Sequence, residues 1–136
     1  MHLELPLTSL VTISTLLIYF WMARQVGVAR GKYEVPAPRT DGPEAFLRVQ
    51  RVHGNTMEGL LLFLPALWIF AFAYGDVAAA AIGLFYPVGR IIFARGYYQA
   101  ADKRGRGFMI GLVATGILLL GDLVAALASI ADIYLS

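Results

Sequence analysis

Four stretches of this chain are continuously apolar and close to the length that crosses a bilayer, and no other feature restricts its fold as much. They cover residues 5–23, 46–74, 77–98 and 107–131. About 20 apolar residues in helical form span the hydrocarbon core. The stretches run without alternation, which selects helices over the strands of a barrel. Composition agrees. Of 136 residues, 59% are hydrophobic and 15% charged, against about 25% charged in a soluble domain, and mean hydropathy is +0.69. The expected fold is all-α: one integral membrane domain over residues 1–136, built as a four-helix bundle protomer. The first stretch reads as a retained helix. It lacks a basic start, with His2 and Glu4 there instead, and Trp21-Met22-Ala23-Arg24 is a poor cleavage site.

Charge supplies an orientation. The connection after the first span carries Arg24, Arg30, Lys32, Arg39, Arg48 and Arg51, and that after the third carries Arg95, Lys103, Arg104 and Arg106. Together they hold ten of the eleven Lys and Arg residues. The other side shows Glu4, Asp76 and Asp132. The positive-inside rule therefore makes loops 24–51 and 95–106 cytoplasmic and sends both termini to the opposite side. Pro36, Pro38, Gly42 and Pro43 preclude helix across residues 35–43 and predict a short extended link. The short Tyr74-Gly75-Asp76 connection makes spans two and three an antiparallel hairpin. Gly107 and Gly111 have the GxxxG spacing that lets helices approach closely, most simply within the bundle. Pro87 predicts a kink in span three.

Two polar stripes enter the membrane edge. On a helix turning about 100° per residue, Arg48, Arg51, Asn55 and Glu58 share an arc of roughly 80°, with His53 on another side. Arg90, Phe93, Tyr97 and Arg104 fall within about 60° on the continuation of span three. Ionisable groups at this depth are expensive and mark a functional site by default. An interfacial anchor would also keep arginines here, but has no use for Asn and Glu on the same stripe. A simpler alternative for the pair of stripes is an internal Arg90–Glu58 salt bridge joining spans two and three, which is compatible with a site. Asp122 in span four is expected to face the bundle interior as a packing or counter-ion residue. Arginine forks take carboxylates in pairs, Glu58 can take an ammonium and Asn55 an amide, so the stripes suit a small zwitterion with more than one carboxylate. His2 and His53 are the only histidines, too few for a metal site, and no Gly-rich phosphate loop or Ser/His/Asp set is present. With no cysteine, any thiol chemistry must use a thiol brought by a substrate or cofactor.

The run Phe46-x-Arg-Val-x-Arg-x-His-x-Asn-x-x-Glu58 resembles the MAPEG family, the membrane-associated proteins in eicosanoid and glutathione metabolism. Ala29-Arg30, Gly42-Pro43, Leu67-Trp68, Gly83-x-x-Tyr86-x-x-x-Arg90, Gly96-Tyr97 and Arg104 extend the likeness along most of the chain. The resemblance implies a homotrimer, with glutathione as co-substrate at the cytoplasmic ends of helices from neighbouring subunits. A lipophilic co-substrate would arrive from the bilayer. It further implies that Arg51, Asn55, Glu58 and Tyr97 contact glutathione, that Arg30 and His53 contribute from the adjoining subunit, and that Arg104 stabilises the thiolate. Arg106, two residues on, could take that role instead.

Three positions depart from the family pattern. Phe93 stands where leukotriene-forming members carry tyrosine, Gly59 replaces an aromatic residue, and Gly31 replaces a second arginine. These weaken a leukotriene-forming role and leave the glutathione set standing. The function expected is a glutathione transferase or peroxidase acting on lipophilic electrophiles or hydroperoxides, in a bacterial inner membrane, with no nucleic-acid partner. A non-catalytic lipid-binding or scaffold member of the same family is the alternative. A small transporter is a weaker one, since inverted repeats and paired broken helices are missing.

Overall fold

The computed structural model describes residues 2–135. They form α1 (Pro6–Lys32), α2 (Glu44–Tyr74), α3 (Asp76–Gly83), α4 (Phe85–Gln99), a short 3-10 helix (Ala101–Arg104) and α5 (Gly105–Tyr134). Four units are long and apolar enough to cross a membrane: α1, α2, the α3–α4 pair, and α5 with the 3-10 helix before it. All four expected spans are present.

α1 runs nine residues past the expected Ala23, and its end is locally determined. Arg30 and Lys32 occupy the last turn, where cations complement the helix dipole. Glu34 then turns left-handed at φ 55°, and the Val35 N–H returns to the Arg30 carbonyl at 3.0 Å. This is the 6→1 bond of a Schellman stop. Its accompanying apolar contact is Val35, buried against Ala29 and Phe46. Residues 35–43 are free of helix as expected, with a turn closed by Arg39 N–H to the Pro36 carbonyl at 3.0 Å.

The start of α1 is capped from another part of the chain. Gly75, at φ 94°, takes the left-handed conformation that only glycine adopts cheaply, and so turns α2 sharply into α3. That turn delivers the Asp76 carboxylate to the first turn of α1, where it accepts the Leu7 N–H at 2.9 Å and the Thr8 N–H at 2.7 Å. The third span is interrupted at Leu84, as Pro87 leads one to expect: α3 stops at Gly83 and α4 resumes at Phe85, while Leu84 keeps helical dihedrals. Pro87 has no N–H for the Gly83 carbonyl and its ring crowds that carbonyl, so the interruption falls four residues before the proline.

Buried residues form three clusters that follow α1 from its start to its end, to which α1 contributes Val11, Met22 and Ala29 in turn. Many large apolar side chains point outward, among them Leu61, Phe72 and Val124, as suits helices surrounded by lipid. In hydrocarbon such side chains gain little by leaving the solvent, so close packing and interhelical hydrogen bonds hold the helices together. Trp68 Nε1 donates to Thr12 Oγ1 at 3.1 Å between α1 and α2. Gly107 and Gly111 of α5 press on Gly89 of α4; a Cβ on Gly89 would lie 3.0 Å from the Gly107 carbonyl oxygen and the Gly111 nitrogen. The GxxxG pair thus works within the protomer. Asp122 is buried in the bundle interior, as expected.

Candidate active site

The two stripes meet. Arg51 and Asn55 from α2, Phe93 and Tyr97 from α4, Arg104 from the 3-10 helix and Phe108 from α5 line one cavity of about 450 Å³. That volume lies within the roughly 300–1,000 Å³ of small-molecule sites. Arg104 reaches it by a different route from the one its helical angle implied. α4 ends at Gln99, Ala100 is extended (φ −161°, ψ 148°), and the 3-10 helix folds the chain back. The return places Arg104 Nη1 3.1 Å from Tyr97 Oη and its guanidinium over the Tyr97 ring, 5.3 Å from the centroid. Gly96 permits that close return, because a Cβ there would strike the Lys103 carbonyl. Tyr97 is fixed from behind by Phe93, edge to face at 5.5 Å.

The Arg90–Glu58 bridge does not form. Glu58 instead meets Arg51, with Nη1–Oε1 at 3.3 Å and both side chains more than half exposed, and Arg90 Nη1 donates to Asn55 Oδ1 at 2.7 Å. Position explains the exchange: Arg90 is buried and lies against Asn55, one turn of α2 before Glu58. The pairing also orients Asn55. With Oδ1 engaged, its two Nδ2 hydrogens remain to be donated.

Arg48 shares the α2 stripe but is drawn back to Glu44, at 3.0 Å. With Arg51 and Tyr97 it borders a second hollow of about 560 Å³. Arg106 is exposed and is not among the residues lining the 450 Å³ cavity. Arg30 and His53 stand apart from that cavity within the protomer. Arg30 Nη1 holds the Arg39 carbonyl at 2.7 Å and the Val35 carbonyl at 3.3 Å, with the guanidinium over Phe46 at 5.3 Å. His53 stacks on Tyr19 of α1 at 4.7 Å, nearly parallel. Sequence reasoning missed Phe108 as a wall residue; its place four residues after Arg104, at the start of an apolar span, was the available signal. Among the described residues no group of His, Cys, Asp or Glu could hold a metal ion.

A family model, that of the MAPEG family, matches residues 8–124. The chain belongs to the MAPEG family. An uncharacterized protein of Synechocystis sp., sll1147, is 44% identical over 124 residues, covering 91% of this chain and 90% of the relative. Human microsomal glutathione S-transferase 2 is 40% identical over 118 residues, 85% of this chain and 78% of the relative. Leukotriene C4 synthase of Rattus norvegicus is 34% identical, with 91% of each chain covered. This MAPEG chain is therefore similar across most of its length to a glutathione S-transferase, a leukotriene C4 synthase and a cyanobacterial protein.

Proposed function

We propose that this MAPEG protein is a membrane-embedded glutathione transferase or peroxidase that activates the glutathione thiolate against lipophilic electrophiles or hydroperoxides. The observation that carries the reading is the convergence of Arg51, Asn55, Tyr97 and Arg104 on one cavity at the end of the bundle. Arg51 is a cation for a glutathione carboxylate, and Asn55, with its Nδ2 hydrogens free, donates to a carboxylate or amide oxygen. Glu58 accepts the ammonium by exchanging it for its exposed contact with Arg51. Arg104 is the catalytic residue.

A free thiol titrates near 8.5. A unit charge about 4 Å away contributes roughly 1 kcal/mol in water and about 4 kcal/mol at the effective dielectric of a protein edge. Since about 1.4 kcal/mol corresponds to a tenfold change in ionisation, a cation held beside the sulfur pulls the bound thiol below its free value. The thiolate is then a large fraction of bound glutathione at neutral pH. Its sulfur attacks the electrophilic carbon, forming a thioether as the leaving group departs with the electron pair of the broken bond.

In this reading Arg30 and His53 complete the site from the adjoining subunit of a homotrimer, and the basic loops face the cytoplasm, in a bacterial inner membrane. The test is thiolate ultraviolet absorbance on adding glutathione to the purified protein. A signal that Arg104→Ala reduces at least fivefold, and Arg106→Ala leaves intact, is expected. No signal, or one indifferent to Arg104→Ala, refutes the enzyme and leaves a non-catalytic member of the family.

A further inference from the structure

Among the described residues, every lysine and arginine but three has a partner within the protein: a carboxylate, an amide or carbonyl oxygen, a phenol or an aromatic face. The exceptions are Arg24, Arg95 and Arg106, all exposed. Two of these share one place. A groove of about 300 Å³ runs between α1 and α4, lined by Leu17, Ile18 and Trp21 on one side and by Ile91 and Arg95 on the other. Arg24 stands two turns beyond Leu17 on the same face of α1, since seven residues at about 100° each return nearly to the starting angle. Trp21 packs against Tyr98 of α4, with ring centroids 6.0 Å apart. By the same helical spacing, Ile91 and Arg95 lie on the opposite side of α4 from Phe93 and Tyr97. The groove shares no wall residue with the 450 Å³ cavity.

The depth of the groove is that of lipid head groups. The apolar stretch of α1 ends at Ala23 and that of α4 at Tyr98. Trp21, Arg24 and Arg95 therefore stand where hydrocarbon gives way to water, the level at which tryptophan collects. A lone arginine there reaches for any passing phosphate. Here two cations without an internal partner flank one hollow, no carboxylate lines it, and its deeper wall of Leu17, Ile18 and Ile91 is aliphatic. We propose that this groove binds one anionic phospholipid of the adjoining leaflet. Arg95 and Arg24 hold the phosphodiester, whose oxygens suit the planar guanidinium fork. Trp21 lies against the glycerol and ester region, and an acyl chain runs down over Leu17, Ile18 and Ile91. The lipid thereby bridges α1 to α4. Charge selects it: phosphatidylglycerol brings a net negative charge, whereas the quaternary ammonium of phosphatidylcholine meets two arginines and no carboxylate. Each basic residue beside an anionic lipid is worth about fivefold in binding. Nothing in this requires glutathione.

The chain has two tryptophans, so Trp68→Phe leaves Trp21 as the reporter. That protein, purified in detergent, is titrated with dibrominated phosphatidylglycerol or dibrominated phosphatidylcholine, and binding is read as quenching of Trp21. Phosphatidylglycerol is expected to quench at about tenfold lower concentration. Arg95→Gln and Arg24→Gln each cut that preference about threefold to fivefold. Arg106→Gln, which removes the same charge outside the groove, leaves it intact. Equal quenching by the two lipids overturns the proposal, as does a preference that survives when Arg24→Gln and Arg95→Gln are combined. A loss as large in Arg106→Gln overturns it too, since net charge alone would then explain the binding. Free glycerol phosphate at the same concentrations is expected to leave the quenching unchanged, and displacement by it would overturn the lipid as occupant. Should Trp68→Phe fail to fold, native mass spectrometry of the unaltered protein decides. Phosphatidylglycerol is expected to stay bound under activation that strips phosphatidylcholine, and equal loss of both overturns the proposal.

Discussion

Replacing Gly107 by alanine tests the claim that glycine contact between α4 and α5 sets both the stability of the bundle and the shape of its site. The new Cβ would stand 2.5 Å from the Gly89 carbonyl oxygen and from Phe93 Cα, and closer still to the Phe93 amide nitrogen. All three obstacles are backbone, so no side chain can rotate away. To restore ordinary contact of about 3.5 Å, α5 must retreat by at least about 1 Å. Overpacking of this kind costs about 1–3 kcal/mol, and an obstruction without rotamer relief belongs at the upper end. The same retreat carries α5 and the 3-10 helix away from α4. It lengthens the Arg104–Tyr97 bond from 3.1 Å to about 4 Å, beyond hydrogen-bonding range. Gly116→Ala is the matched control. It lies on the same helix with open space around its Cβ, so it gains up to about 1 kcal/mol from helix propensity. Thermal unfolding in detergent, followed by circular dichroism, should place Gly107→Ala below the parent and Gly116→Ala at or above it. Thiolate absorbance with glutathione should fall only in the first. A Gly107→Ala protein that melts with the parent would refute the packing argument, whatever its activity.

Asp76→Ala removes both acceptors from the first turn of α1 and should lower thermal stability, as lost helix caps do. Amide exchange at Leu7 and Thr8 should quicken, and unchanged exchange would mean that water replaces the carboxylate without cost. Because the chain has no cysteine, orientation can be read from single introduced thiols. Gly31→Cys, exposed and unobstructed, should react with an impermeant maleimide only from the cytoplasmic face, and Leu3→Cys only from the other. Exchanged labelling would invert the proposed topology, and labelling of both from one side would abolish it.

Hydropathy alone determined the four spans, since a backbone in hydrocarbon has to satisfy its hydrogen bonds within each segment and helices do so locally. Arg51, Asn55, Tyr97 and Arg104 were also legible as one group, because residues at the same depth on amphipathic helix ends must meet when the helices pack. Partner choice was not legible. Whether Arg90 meets Glu58 or Asn55 depends on the depth and rotation of α4 against α2, which lay Arg90 against Asn55. Nor could the sequence show that Ala100 ends α4 and folds Arg104 back onto Tyr97. It could not show that Asp76 would cap a helix nearly seventy residues earlier. Local periodicity fixes what each segment becomes, while the angle and depth at which segments touch depend on contacts between residues distant in the chain, and only the assembled bundle sets those.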